Sequence, residues 1–407
     1  MGEAVTQPRD SPRDEGNGST PSSGRILGPV RLGAIAHGGS CVARLDARVV
    51  FVRHGIPGET VTVRVVDETH PAWWVGEVDA VLEPSPDRVV PRCPVAGRCG
   101  GCDFQHIALP RQRVLKSDVV ADLLRRFAHL DVPVSVAPVA GDHDGEGWRT
   151  RVRYLVHGHQ IGLRAWRSHA FVGAPATGCA LADPRLPASP ELVALATDAG
   201  AGEVGVAVDD LGQTGVWAAG RRLAGPALLT QRAAGHVFQV RPDGFWQVHP
   251  GAAAALVTEV LDALHPAAGQ RAWDLYSGVG LFAAALLSRG VAVGGVEQSR
   301  EAVTLARRNV AGASFVAGRV ERVIGGLDPD PDLVVLDPPR SGAGRAVVEA
   351  VIRRRPAAIA YVACDPATLA RDVQTFVAGG YRLDRLRALD AFPLTHHVEC
   401  VARLVPA

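Results

Sequence analysis

Two kinds of cysteine in this sequence could do chemistry. Cys93, Cys99 and Cys102 fall close together in PRCPVAGRCGGCDFQH, while Cys364 stands alone in YVACDPATLARD. Three thiols spaced C-x5-C-x2-C suit a disulfide framework, a zinc site, a redox pair or three corners of an iron–sulfur cluster. The total of seven cysteines is odd, they are not spaced as a dense scaffold, and no basic-then-apolar leader opens the chain. A reducing cytoplasm is therefore expected, where clustered cysteines more often mean metal or catalysis than disulfides.

Cys364 closes an apolar run and is followed by a Pro turn and a helix start, where Thr368 is expected to help cap. Strand-end cysteines are usually inert and buried. Here helix-N-terminal amides would favour the thiolate and so a nucleophile. Glu399 interrupts the apolar, strand-like run 398–404 in AFPLTHHVECVARLV. A carboxyl there is costly unless paired or functional, and desolvation would raise its pKa toward that of a useful proton acceptor. His396 and His397 compete for the base role, with a hydrogen-bonded structural histidine as the plainer reading of both. Cys400, facing the other side of the strand, reads as core.

A ligand-binding turn stands between the two sets. WDLYSGVG places Asp274 at a strand end, followed by a turn holding Gly278 and Gly280. Such a turn often serves packing alone. Glu297, in VGGVEQS, follows about twenty positions on at the next strand end, where a carboxylate can take both hydroxyls of a ribose. Ala283 stands where a dinucleotide fingerprint has its third glycine. S-adenosylmethionine, which has no pyrophosphate to cradle, therefore fits better than NAD. Asp337, in VVLDPPR, ends another strand with Pro338 and Pro339 stiffening the turn behind it. It reads either as a plain strand-ending residue or as part of the same cleft.

The elements that must position these residues fall into four stretches. Residues 1–24, rich in Ser, Pro, Gly and charge, read as a disordered tail. Residues 25–85 alternate short β-type runs with glycines, as in a small antiparallel barrel. Residues 86–248 form a central α+β domain that begins with the cysteines. Its first helix, LPRQRVLKSDVVADLLRRF, sets Val114, Leu115, Val119, Leu123 and Phe127 at helical spacing, with a basic face between them that reads as solvated. Residues 249–407 alternate helices and strands, which indicates a parallel, doubly wound sheet. The chain is 407 residues long with a net charge of +1, so composition alone does not announce a nucleic-acid binder. Arginine is abundant, but Lys116 is the only lysine, which points to compositional bias. No stretch approaches a membrane span.

Taken in order, FWQVHPG, DLYSGVG, VEQS, DPPRSG, YVACDPATLARD and FPLTHHVEC resemble the motifs of bacterial RNA 5-methyluridine (uracil-C5) methyltransferases. The resemblance runs from about Arg25 to the C-terminus and is to the type that carries an iron–sulfur cluster and a TRAM domain. It implies an OB-like TRAM barrel, a central α+β domain with the cluster, and a C-terminal Rossmann-like methyltransferase domain. It further implies Cys364 as the nucleophile that adds to uracil C6 and Glu399 as the base that removes the C5 proton. Gln247, Tyr276, Glu297 and Asp337 would contact S-adenosylmethionine, Arg340 would help hold substrate, and Phe245 or Trp246 would stack on the target base, with core packing as the other reading of each. Cys93, Cys99 and Cys102, closed by Cys179 of ATGCALADPRL, would hold a [4Fe-4S] cluster, with zinc as the other occupant and Gly97, Gly100 and Gly101 aiming amides at the sulfurs. Three positions depart from the pattern: His249, Leu281 and Arg319.

The implied substrate is RNA, 23S ribosomal RNA before the tRNA T-loop, with no membrane or obligate protein partner. Radical chemistry would want three cysteines at C-x3-C-x2-C with one iron open, which the spacing here and a fourth ligand oppose. A metal-holding RNA-binding module without catalysis is opposed by the joint presence of Cys364, Glu399 and Asp337.

Overall fold

The computed structural model describes residues 24–45, 48–142, 144–327 and 329–407. The tail expected over residues 1–24 lies outside them, apart from Gly24.

The first unit is a five-stranded sheet in the order Ile26–Arg31, Thr60–Asp67, Trp73–Glu83, Arg48–Arg53 and Cys41–Leu45. Alternating residues Val61, Val63 and Val65 point inward onto Cys41, Val50, Val52 and Trp74, the period-2 burial of a one-sided sheet. An all-antiparallel barrel was expected, yet Arg48–Arg53 pairs in parallel with Trp73–Glu83. The two strands are not chain neighbours, because Thr60–Asp67 intervenes and takes the other edge of Trp73–Glu83.

The central unit is a six-stranded antiparallel sheet in the order Arg221–Ala224, Thr214–Ala218, Glu203–Val208, Arg151–His157, Gln160–Arg164 and Phe171–Gly173. Helix Ser189–Asp198 covers one face, burying Leu192, Val193 and Ala196 on Val152, Tyr154, Val204 and Val206.

The third unit carries an eight-stranded sheet in the order Ser314–Ala317, Ala292–Glu297, Arg271–Leu275, Leu333–Leu336, Ala358–Ala363, Glu399–Pro406, Tyr381–Asp390 and Val136–Pro138. Its first five strands are parallel, and Leu333–Leu336 and Ala358–Ala363 are buried along their whole length, as strands covered on both faces must be. Helices Ala252–Leu264, Leu281–Leu287 and Arg300–Asn309 pack on one side; Arg345–Arg354 and Pro366–Ala378 pack on the other. The sheet is not wholly parallel as expected: Glu399–Pro406 lies antiparallel to both neighbours. The short return at residues 391–398 allows this, since a parallel return would need a long crossover.

Helix Leu109–Leu123 joins this third unit, its Val120 and Leu123 buried in the same cluster as Leu369, Val373 and Phe376. Leu115 and Leu123 are buried and Val119 and Phe127 pack against the core as expected, but two positions depart from that face. Val114 is exposed, whereas Lys116 is buried with its Nζ 2.5 Å from Asp390 Oδ1 and 3.1 Å from the Phe392 carbonyl. The ion pair compensates a burial that an unpaired ammonium could not sustain.

Candidate active site

Strand order reverses at Arg271–Leu275, which has Ala292–Glu297 on one side and Leu333–Leu336 on the other. Crevices at such switch points, outside the carboxyl ends of the strands, are where open α/β sheets bind ligands. A cleft of about 1260 Å³ opens there, and Gln247, Tyr276, Glu297, Asp337, Cys364 and Glu399 all line it. All six side chains singled out in the sequence for catalysis and cofactor contact thus face one space.

The cofactor side is shaped by backbone. Tyr276 sits at φ 67° and Gly278 at φ 53°, so the chain turns sharply after the strand. Nothing lies within 4 Å of where a Cβ on Gly278 would stand, so the backbone is open to a ligand there. Glu297 accepts from the Gly278 amide at 3.1 Å and the Ser299 amide at 2.7 Å, which orients its carboxylate and leaves lone pairs free. Asp274 lies fully buried beneath the turn and accepts from the Ala283 amide at 2.9 Å. Burial pushes the Asp337 carboxyl up to about 7, with Glu297 adding to the effect.

On the other side of the cleft, Cys364 directly follows Ala358–Ala363 and Glu399 begins the adjacent antiparallel strand. Burial raises the Glu399 carboxyl well above the usual range; Asp337 raises it further and Arg340 opposes. The Cys364 thiol is pushed up to about 12 by burial and then by Glu399. The helix-start amides do not favour its thiolate as expected, because Asp365 takes them, accepting from Ala367 N at 2.9 Å and Thr368 N at 3.1 Å. Asp365 is accordingly the cap and Thr368 is not; the Thr368 hydroxyl donates back to the Asp365 carbonyl.

His397 lines the cleft, its Nε2 3.1 Å from Arg340 Nη2, and burial holds its pKa well below the usual value. His396 instead pairs with Asp103 at 2.6 Å. Of the two aromatic candidates, Trp246 is core, packed on Phe238, while Phe245 is 72% exposed on the cleft. One Arg151 nitrogen holds the loop before it through the carbonyls of Arg241, Pro242 and Gly244. Among the departures, His249 is buried with its Nδ1 accepting from Gly251 N at 3.1 Å, and Leu281 opens a buried helix. Arg319 lines the cleft beside Glu321.

Cys93, Cys99, Cys102 and Cys179 come together around a second, small cavity. The Gly101 amide donates to Cys99 Sγ at 3.4 Å and Gln105 Nε2 to Cys102 Sγ at 3.2 Å. Gly100, expected to do the same, donates to the Arg164 carbonyl instead. Among the described residues no group of three or more His, Cys, Asp or Glu is gathered closely enough to hold a metal ion.

Two functional-looking groups escaped the sequence reading. Asp372 accepts from Tyr361 OH at 2.6 Å and from the amides of Ala343 and Gly344, tying down the loop after Arg340. A charge on the buried face of Pro366–Ala378 was the available signal. Asp103 gave none, since its partner lies at the other end of the chain.

Residues 329–405 match the tRNA (Uracil-5-)-methyltransferase family and residues 29–70 the TRAM domain. An uncharacterized RNA methyltransferase of Streptomyces avermitilis is 42% identical, covering 93% of this chain and 98% of its own. One from Bifidobacterium longum is 36% identical, covering 95% and 98%. In fold the chain is similar to the Pyrococcus abyssi tRNA (uracil-54, C5)-methyltransferase solved with S-adenosyl-L-homocysteine, at TM-score 0.72 and 24% identity, covering 92% of this chain and 99% of that one. With its N-terminal TRAM domain and Rossmann-like sheet, the chain belongs to the RNA methyltransferase family that carries the uracil-5 methyltransferase signature.

Proposed function

We propose that the protein methylates C5 of a specific uridine in RNA, using S-adenosylmethionine and a transient covalent bond from Cys364. The observation that carries this is the shared cleft: a nucleophile, a desolvated carboxyl and the cofactor-type turn all face it. The lining fits the cofactor, since Glu297, Asp337 and Glu399 give a cationic sulfonium an acidic surround, and Glu297 suits ribose hydroxyls. When bound, S-adenosylmethionine supplies an electrophilic methyl group.

Uracil C5 is a poor nucleophile alone. Addition of the Cys364 thiolate at C6 forms an S–C6 bond and moves the C5–C6 electron pair toward O4, leaving an enolate nucleophilic at C5. Once C5 carries the methyl group, Glu399 removes its proton. The freed pair restores the C5–C6 double bond and expels the Cys364 thiolate. Arg340 lines the same cleft, and its charge favours the ionised form of both groups. A uridine must leave its stack to enter the cleft, and exposed Phe245 offers it an aromatic face. Cys364→Ala should abolish methyl transfer, whereas Glu399→Gln should accumulate a protein–RNA adduct on denaturing gels; normal turnover by Glu399→Gln would overturn the base assignment.

The reading extends to a [4Fe-4S] cluster on Cys93, Cys99, Cys102 and Cys179. What supports it is that all four cysteines line one small cavity, a donor set that would suit a cluster, with zinc as the other occupant. We favour a site in 23S ribosomal RNA and a cytoplasmic enzyme. The tRNA T-loop is the second reading, supported by the name of the family matched at residues 329–405. Mapping 5-methyluridine in ribosomal and transfer RNA from a strain lacking the gene separates the two.

A further inference from the structure

The cysteine segment and the return at residues 391–398, which leads into Glu399, are far apart in sequence yet interlocked. The amides of Asp103 and Phe104 both donate to the Leu394 carbonyl, at 3.1 and 3.0 Å. Gln112 accepts from Leu394 N at 3.0 Å and donates to the carbonyls of Phe104 and Ile107 at 3.1 and 2.7 Å. These contacts fix the loop's backbone.

A side-chain path continues from there into the cleft. Asp103 Oδ2 lies 2.6 Å from His396 Nδ1, with side chains only 13% and 24% exposed, so the pair is shielded from solvent. The His396 ring stands 4.1 Å, centroid to centroid, from that of His397. His397 Nε2 is in turn 3.1 Å from Arg340 Nη2. A guanidinium only donates, so Nε2 must be the acceptor and the His397 proton must sit on Nδ1. His397 is thus a neutral ring with one tautomer, useful to Arg340 only while its plane is held.

We propose that Asp103 and His396 are positioning residues: their hydrogen bond fixes the His397 ring, which aims Arg340 at Cys364 and Glu399. The proposal rests on the reading of the cleft as a uridine methyltransferase site. It gives the cysteine-bearing segment a part in catalysis that does not require any of its thiols to touch substrate. Alignment of a charged group within a cleft is worth much in rate, since small misplacements cost about 100-fold.

The test is a double-mutant cycle read by the rate of adduct formation on 5-fluorouridine RNA with enzyme in excess, where large losses remain measurable. Asp103→Asn should slow adduct formation about 10- to 100-fold with the KM for S-adenosylmethionine unchanged. In an Arg340→Gln background the same substitution should cost nothing further, because the group it positions is gone. Equal losses in both backgrounds, or no loss in the first, would overturn the proposal. If Asp103→Asn does not fold, His396→Gln runs the same cycle. Adduct formation by the unmodified enzyme tests the uridine-methylation reading separately, so the two failures are distinguishable.

Discussion

Cys364, the proposed nucleophile, is held in its protonated form. With its thiol pushed up to about 12 by burial and Glu399, nearly all of it is protonated at neutral pH. Only the thiolate attacks, so alkylation of Cys364 by iodoacetamide in the free protein should be slow near pH 7 and climb steadily as pH rises. Peptide mass spectrometry across a pH series reads this, and fast labelling at neutral pH would contradict it. Asp337 titrates in the same sense, gaining its charge as pH rises. Its carboxyl, pushed up to about 7, is neutral below that value and ionised above it. An ionised Asp337 attracts a sulfonium, so the KM for S-adenosylmethionine should fall from about pH 6 to about pH 8, and Asp337→Asn should flatten the profile. At this scale the sequence was informative, because a cysteine, a carboxylate and a glycine turn declare their chemistry by type. What it could not show is environment: the Asp365 cap that takes the helix amides from Cys364 depends on side-chain geometry, not on residue type.

The loop that carries Arg340 is held by an element the chemistry does not touch. Helix Pro366–Ala378 begins just after Cys364 and presents Asp372 to Tyr361 OH and to the Ala343 and Gly344 amides. One helix therefore fixes both the end of strand Ala358–Ala363 and the loop opposite it. Asp372→Asn keeps the shape but removes a charged acceptor shared by three donors. We expect a loss of about 1.5–3 kcal/mol of stability, seen as a lowered Tm, together with a raised KM for RNA. An unchanged Tm would contradict the role given to Asp372. Elements were legible where their pattern was local. The buried strands Leu333–Leu336 and Ala358–Ala363 read as continuous apolar runs, and helix Arg300–Asn309 fell within the stretch that read as alternating helices and strands. The antiparallel insertion of Glu399–Pro406 was not legible, because pairing partners are set by tertiary contact. Val136–Pro138 has only three residues, too few to show any period.

At the scale of the whole molecule, the barrel and the third unit meet around the return at residues 391–398. Gly39 of the barrel comes so near His396 and Phe104 that a Cβ there would stand 2.9 and 3.0 Å from their side chains. His37 of the barrel lies 3.5 Å from Asp365, next to Cys364. Lys116 and Asp390 anchor the other side, with side chains 1% and 0% exposed. Lys116→Met would leave Asp390 with Arg113 alone, at 3.3 Å, and should destabilise the fold by about 3 kcal/mol. Thermal unfolding measures this, and a Tm equal to the wild type would show the pair to be replaceable. That the only lysine is structural rather than RNA-facing was invisible in the sequence, where it sat on an apparently solvated basic face. No helix among the described residues is long and apolar enough to cross a membrane. The central claim is that Cys364 bonds to a uridine in this cleft. Its most direct test is peptide mapping of the adduct formed with 5-fluorouridine-substituted ribosomal and transfer RNA in the presence of S-adenosylmethionine. Fluorine at C5 cannot leave as a proton, so the account predicts a stable bond from RNA to Cys364. No adduct, or one attached at another residue, would contradict it.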